Sequence, residues 1–242
     1  MRYPFLFILS ICIYHASLAQ PITIEQTGIR QEMRINENTV IFDKATGKRI
    51  SDQQYRRLTK DDPFGYHLER VYDEYGQTSA YKIRPATPEE RETHSFRPTA
   101  EGRPKVGETI PLFVMKGLDG KVYRSTDLQG RVVVLSFWIS LKKPFWGVNQ
   151  AKSYADILKP YQSDTGPVSL GIFAESKESL DEFMARESLP FIPIPDSYGF
   201  NGKFHVTNMP AFIVIDRTGK VAAYMDGPDY EELKNVLQKI SK

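Results

Sequence analysis

The chain has 242 residues, 32 basic against 30 acidic side chains, a formal net charge of +2 and one cysteine. So even a balance leaves no basic footprint for nucleic acid or for an anionic membrane surface. A lone cysteine excludes a disulfide framework within the chain, and the length suits one full domain plus a smaller one.

Residues 1–19 run from Arg2 through an apolar stretch, 5–14, to Ser17-Leu18-Ala19 ahead of Gln20. This order of charged, apolar and small residues is that of a secretory signal peptide, so the expected mature chain starts at Gln20. The stretch is short of the about 20 residues that span a bilayer, and no other segment is apolar enough, so no stable membrane span is expected. Cys12, the one cysteine, lies inside this segment. The alternative is a lipoprotein cleaved before Cys12, which would require a large residue, Ile11, where such cleavage favours a small one and would cut the apolar stretch in half.

Residues 20–93 read as a small α+β module. A short strand is predicted over 38–43. Ser51 and Gln54 have capping-box spacing, which predicts a helix from Asp52 to about Thr59. Strands over 66–73 and 78–84 flank the turn Glu74-Tyr75-Gly76-Gln77. Residues 94–104, polar and Pro-containing without periodicity, read as a linker.

From 105 to 242 the pattern changes. Segments 110–115 and 121–123 flank Leu118-Asp119-Gly120, a hairpin signal. The run Val132-Val133-Val134-Leu135-Ser136-Phe137 sits in a strand over 131–138 of the kind covered on both faces. A helix is predicted over about 145–158, a buried strand over 168–173, an amphipathic helix over 177–187, and a central strand over 211–215. The turn Asp216-Arg217-Thr218-Gly219-Lys220 leads into a strand over 221–225, and a helix over 230–240 closes the chain. Alternating strands and helices ending in a hairpin and a helix describe an α/β fold, a mixed sheet with helices on both faces.

This order resembles the thioredoxin-like superfamily, and within it the exported TlpA-like and redoxin (AhpC/TSA-type) branch. The matching pieces are Val106-Gly107-Glu108-Thr109-Ile110-Pro111, the strand ending Phe137-Trp138, Pro144, and Asn208-Met209-Pro210-Ala211 before Phe212-Ile213-Val214-Ile215-Asp216-Arg217-Thr218-Gly219-Lys220-Val221. In that branch the Phe-Trp strand leads to a Cys-x-x-Cys pair, and the resemblance lays Lys142 and Phe145 on the two cysteine positions. Thiol–disulfide exchange requires a thiolate attacking a sulfur, and peroxide reduction requires a thiolate that becomes a sulfenic acid. Neither lysine nor phenylalanine supplies one, so no catalytic residue and no cofactor is expected. The resemblance also implies a cis-proline at Met209-Pro210, facing the helix after that strand, and a bacterial periplasm as the location, with an extracellular site as the other outcome of export.

The same carry-over gathers Trp138, Lys142, Lys143, Pro144, Phe145, Trp146, Met209 and Pro210 into a degenerate groove. One reading makes it a surface that binds an extended polypeptide of an envelope protein by backbone pairing and side-chain pockets. The competing reading makes Trp138 and Trp146 core and leaves Phe145 as a helix cap. Likewise Lys142 and Lys143, expected at a helix N-terminus where cations are disfavoured, either attract an anionic partner or swing freely into water. His67, His94 and His205 lack ligand spacing, so no metal is expected. Asp61-Asp62 and Glu89-Glu90 read as solvated turn and helix-start residues. The expected function is a non-catalytic protein-binding module; the alternatives are an atypical redoxin enzyme and a scaffold for the N-terminal module. The oligomeric state is left open.

Overall fold

A computed structural model describes residues 35–94 and 99–241. The expected signal segment therefore lies outside the described residues, as does the middle of the expected linker.

The first sheet has four strands in the order β2-β1-β4-β3, built from β1 (Ile41–Asp43), β2 (Arg49–Ile50), β3 (Tyr66–Tyr72) and β4 (Thr78–Pro85). Helix α1 (Asp52–Thr59) carries the predicted box, with Ser51 Oγ accepting from the Gln54 amide and the Gln54 side chain accepting from that of Ser51. A second box at Thr87 and Glu90 starts α2 (Pro88–Thr93), with Pro88 at its first position, where the missing N–H costs nothing. Glu90 is not solvated, contrary to the sequence expectation. It is buried because it receives a fork of two 2.7 Å hydrogen bonds from Arg84 on β4.

The second half forms a hairpin, β5 (Val114–Lys116) and β6 (Val122–Arg124), and a five-stranded sheet in the order β11-β10-β7-β8-β9. Its strands are β7 (Val133–Phe137), β8 (Val168–Ile172), β9 (Ile192–Ile194), β10 (Ala211–Ile215) and β11 (Val221–Met225). Strands β7, β8 and β9 run parallel, while β10 is antiparallel to both β7 and β11. Alternation along the strands divides the core in two. Val132, Val134, Phe212 and Val214 face one apolar cluster that includes Tyr154 of α3 (Val148–Leu158), Leu180 of α4 (Lys177–Met184), and Leu233 and Leu237 of α6 (Tyr230–Ile240). Val133, Leu135, Phe137, Ile213 and Ile215 face the other cluster, filled by Phe113, Met115 and Phe200 of α5 (Gly199–Lys203).

The first sheet meets this half at α5. The Val114 amide donates to the Glu74 carbonyl at 2.7 Å, and Lys203 Nζ donates to that of Asp73 at 2.9 Å. A Cβ at Gly199 would stand 1.8 Å from the Gly76 carbonyl oxygen, so the close approach of the β3–β4 turn requires glycine there.

Candidate functional site

The sheet register brings four loops to one edge. Phe137 is paired with Ile172 on one side and Ala211 on the other, and Ile172 with Ile194. Trp138 therefore leaves the sheet where Phe173 and Pro195 leave it and where Met209-Pro210 enters it. The Met209–Pro210 peptide is cis, as the resemblance implied; Lys143–Pro144 is cis as well.

Of the eight predicted site residues, two are not on the surface. Trp138 and Trp146 are buried and meet edge-on with ring centroids 4.8 Å apart, in a cluster that also holds Tyr154, Phe191 and Phe212. The Trp138 indole N–H is satisfied internally by Ser136 Oγ at 2.8 Å. An indole with its donor paired inside an aromatic cluster is packing, so the core reading holds for both tryptophans. Lys142, Lys143, Pro144 and Phe145 are exposed, with Phe145 at 47%. Met209 and Pro210 are half-buried, Met209 lying against the cluster under the opposite face.

The two lysines do not stand in the first turn of α3, contrary to expectation. That helix begins at Val148 after an extended Gly147, while residues 142–146 close a turn of their own: the Phe145 and Trp146 amides both donate to the Lys142 carbonyl, at 2.9 and 3.1 Å. Burial of the Trp146 ring anchors this turn. A helix dipole acts within its first turn, so the lysines are outside its reach.

Sequence reasoning missed the group that shapes this loop. Glu175, after β8, accepts from Ser140 Oγ at 2.7 Å and from the Leu141 amide at 3.2 Å, and its own carbonyl receives the Asp196 amide at 2.9 Å. Glu175 so ties three loops together, its carboxylate holding the loop after β7 and its backbone carbonyl the loop after β9. Ile139 in the loop after β7 and Tyr198 in the loop after β9 are exposed. No local signal marks the Glu175 carboxylate, because its partners are about 35 residues away.

Asp226, just past β11, holds the Met209-Pro210 loop. It accepts from Thr207 Oγ1 at 2.7 Å, from the Asn208 amide at 3.0 Å and from Arg103, with which it forms an ion pair. Burial would push its carboxyl up, but the hydrogen bonds from Thr207 and Asn208 and the charge and hydrogen bond of Arg103 outweigh that and hold it below the usual value. Among the described residues no cluster of three or more His, Cys, Asp or Glu side chains could hold a metal, and no helix is long and apolar enough to cross a membrane.

Residues 106–224 match the model of the AhpC/TSA family. The chain is 31% identical over 138 residues to the thiol-disulfide oxidoreductase ResA of Geobacillus thermodenitrificans, a match covering 56% of this chain and 78% of that protein. The chain belongs to this thioredoxin-like redoxin family. It is also 29% identical over 140 residues to ResA of Bacillus cereus, covering 57% of this chain and 79% of the relative. Among solved structures, a peroxiredoxin-like protein from Aquifex aeolicus superposes with a TM-score of 0.48 at 19% identity, over 57% of this chain and 88% of that one. The family's thioredoxin-like fold is the α/β arrangement described above, with Lys142 and Phe145 in the exposed loop after β7.

Proposed function

We propose that this redoxin-family chain is a non-catalytic recognition module of the cell envelope. It binds an extended polypeptide along the edge formed by Met209-Pro210 and the exposed face of residues 139–145. The observation that carries this reading is the combination of a retained edge and an absent reactant. The loop before Pro210 is held in place by the half-buried carboxylate of Asp226, whereas the sequence from Gln20 onward contains no cysteine. Strand addition at such an edge draws its affinity from main-chain hydrogen bonds and its selectivity from flanking side chains. Phe145 and Ile139 supply apolar contact here, and Lys142 and Lys143 supply positive charge.

Identity to thiol-disulfide oxidoreductases favours a second reading, an enzyme of that class. The two are separated with the purified chain beginning at Gln20, by reductase and peroxidase assays and by in-cell photo-crosslinking from position 145 with Lys177 as control. The binding reading expects no turnover and a discrete adduct from position 145 alone. Turnover in that cysteine-free preparation would establish the enzyme, and adducts of equal yield from both positions would remove the groove. The third reading, a scaffold for the N-terminal module, expects no adduct from position 145 and partner binding that disappears when residues 20–103 are deleted.

A further inference from the structure

The loop 204–208 leads straight into Met209-Pro210, and its hydrogen bonds reach beyond itself. Arg103 Nε donates to the His205 carbonyl at 3.3 Å, and its Nη2 donates to Thr207 Oγ1 at 2.6 Å and also to Asp226. Thr207 Oγ1 in turn donates to Asp226, which also receives the Asn208 side-chain amide at 3.2 Å. The guanidinium lies over the Tyr224 ring, 5.1 Å from its centroid, and the Tyr224 hydroxyl donates to the carbonyls of Phe204 and His205 at 3.1 and 3.2 Å. His205 adopts a left-handed backbone conformation, φ 54°, and its Nδ1 meets the Thr99 carbonyl at 3.0 Å. A Cβ on Gly102 would stand 2.1 Å from the His205 ring, so the short turn Ala100–Gly102 is seated directly on this loop.

Each side of the clasp therefore comes from a different part of the chain: residues 99–103, which precede the stretch that matches the family, and residues 224 and 226 at the end of β11 and just past it. Arg103 touches the loop and both Tyr224 and Asp226, because its planar fork can serve a carbonyl, a hydroxyl and a carboxylate together, which an ammonium cannot do in the same geometry. A rigid edge binds an added strand without first being ordered, so whatever immobilises 204–208 acts on recognition at 209–210.

We propose that Arg103 and Asp226 are positioning residues for the Met209-Pro210 edge, which makes the stretch 99–103 part of the recognition device and not a passive tether. This proposal rests on the binding reading for its purpose; the clasp itself is tested without any ligand. The experiment is amide hydrogen exchange by mass spectrometry on the full chain and on Arg103→Ala, Arg103→Lys and Thr207→Val. Thr207 is exposed, so its variant removes two clasp hydrogen bonds while sparing the core.

The expected result is exchange about tenfold faster in peptides covering 204–210 for Arg103→Ala and Thr207→Val, with β7 and β8 unchanged and Arg103→Lys in between. Unchanged exchange at 204–210 in both Arg103→Ala and Thr207→Val overturns the proposal. So does an increase shared equally by β7 and β8, which would make the clasp a general stabiliser. A localised increase accompanied by no crosslink from position 145 in the parent chain would leave the clasp standing and remove the binding reading alone.

Discussion

Replacing Glu90 by glutamine removes a charge from the ion pair that joins α2 to β4. Arg84 donates from both terminal nitrogens to the two Glu90 oxygens and from Nε to Glu69 at 2.6 Å, and Glu90 also accepts from the Thr87 amide at 2.8 Å. The Glu90 and Arg84 side chains are only 12% and 18% exposed, so water screens the pair weakly. The Arg84 hydrogen bonds dominate and hold the Glu90 carboxyl at about 2 against an ordinary 4.5, with burial pulling the other way and the Thr87 amide assisting. That displacement corresponds to about 3 kcal/mol favouring the ionised form in the folded state. The folded value is depressed, so the contribution is complete above the unfolded value and declines as pH falls from about 4.5 towards 2. Urea unfolding of parent and Glu90→Gln should differ by about 3 kcal/mol at pH 7 and converge at the acid end. A gap below about 0.5 kcal/mol at pH 7, or one of equal size near pH 2, would refute the assignment of this energy to the charge pair.

Three further outcomes follow from the packing. Trp146→Ala should lose about 3–5 kcal/mol in urea unfolding, whereas Phe145→Ala should stay within about 0.5 kcal/mol of the parent, because only the first ring is buried. Gly199→Ala should cost about 1–3 kcal/mol and expose the turn at 73–77 to limited proteolysis, since its Cβ meets a backbone oxygen. Glu175→Ala should cost about 1–3 kcal/mol and speed proteolysis within 139–142, by leaving the Ser140 hydroxyl and the Leu141 amide without their acceptor.

Features encoded over a few residues were readable from the sequence. The Ser51–Gln54 box, the strands at 211–215 and 221–225 and the helix at 230–240 fall where local pattern puts them. Short elements were not: β2 has two residues, β9 carries Pro193, and α5 contains two glycines in five positions, so none has propensity to announce it. The sequence pattern starts α3 too early because Phe145 and Trp146 continue a helical pattern, whereas the Lys142 carbonyl captures their amides in a separate turn. Whether Trp138 lines a groove or fills a core depends on Phe191 and Phe212, far along the chain. Glu90 misled by residue type, since one of two adjacent glutamates at a helix start reads as solvated until Arg84 is seen opposite it. Glu175 and Asp226 act only through partners that distance in sequence conceals.

What makes this chain a redoxin and what a redoxin's chemistry needs reside in different atoms. Family resemblance is carried by residues 106–111, the end of β7, Pro144, and the stretch 208–221 that holds Pro210 and β10, and the apolar residues of β7 and β10 fill the two clusters. Those residues determine where the edge lies, and they would do so whatever stood at 142 and 145. Exchange chemistry, by contrast, depends on two sulfurs and on the field around them. This chain has a lysine and a phenylalanine in the exposed turn ahead of α3, and the edge at Met209-Pro210 is the part that the proposed strand-adding ligand would use. A fold held by its core can keep its edge while the side chains in one surface turn change, and so similarity to an oxidoreductase carries the architecture further than it carries the reaction.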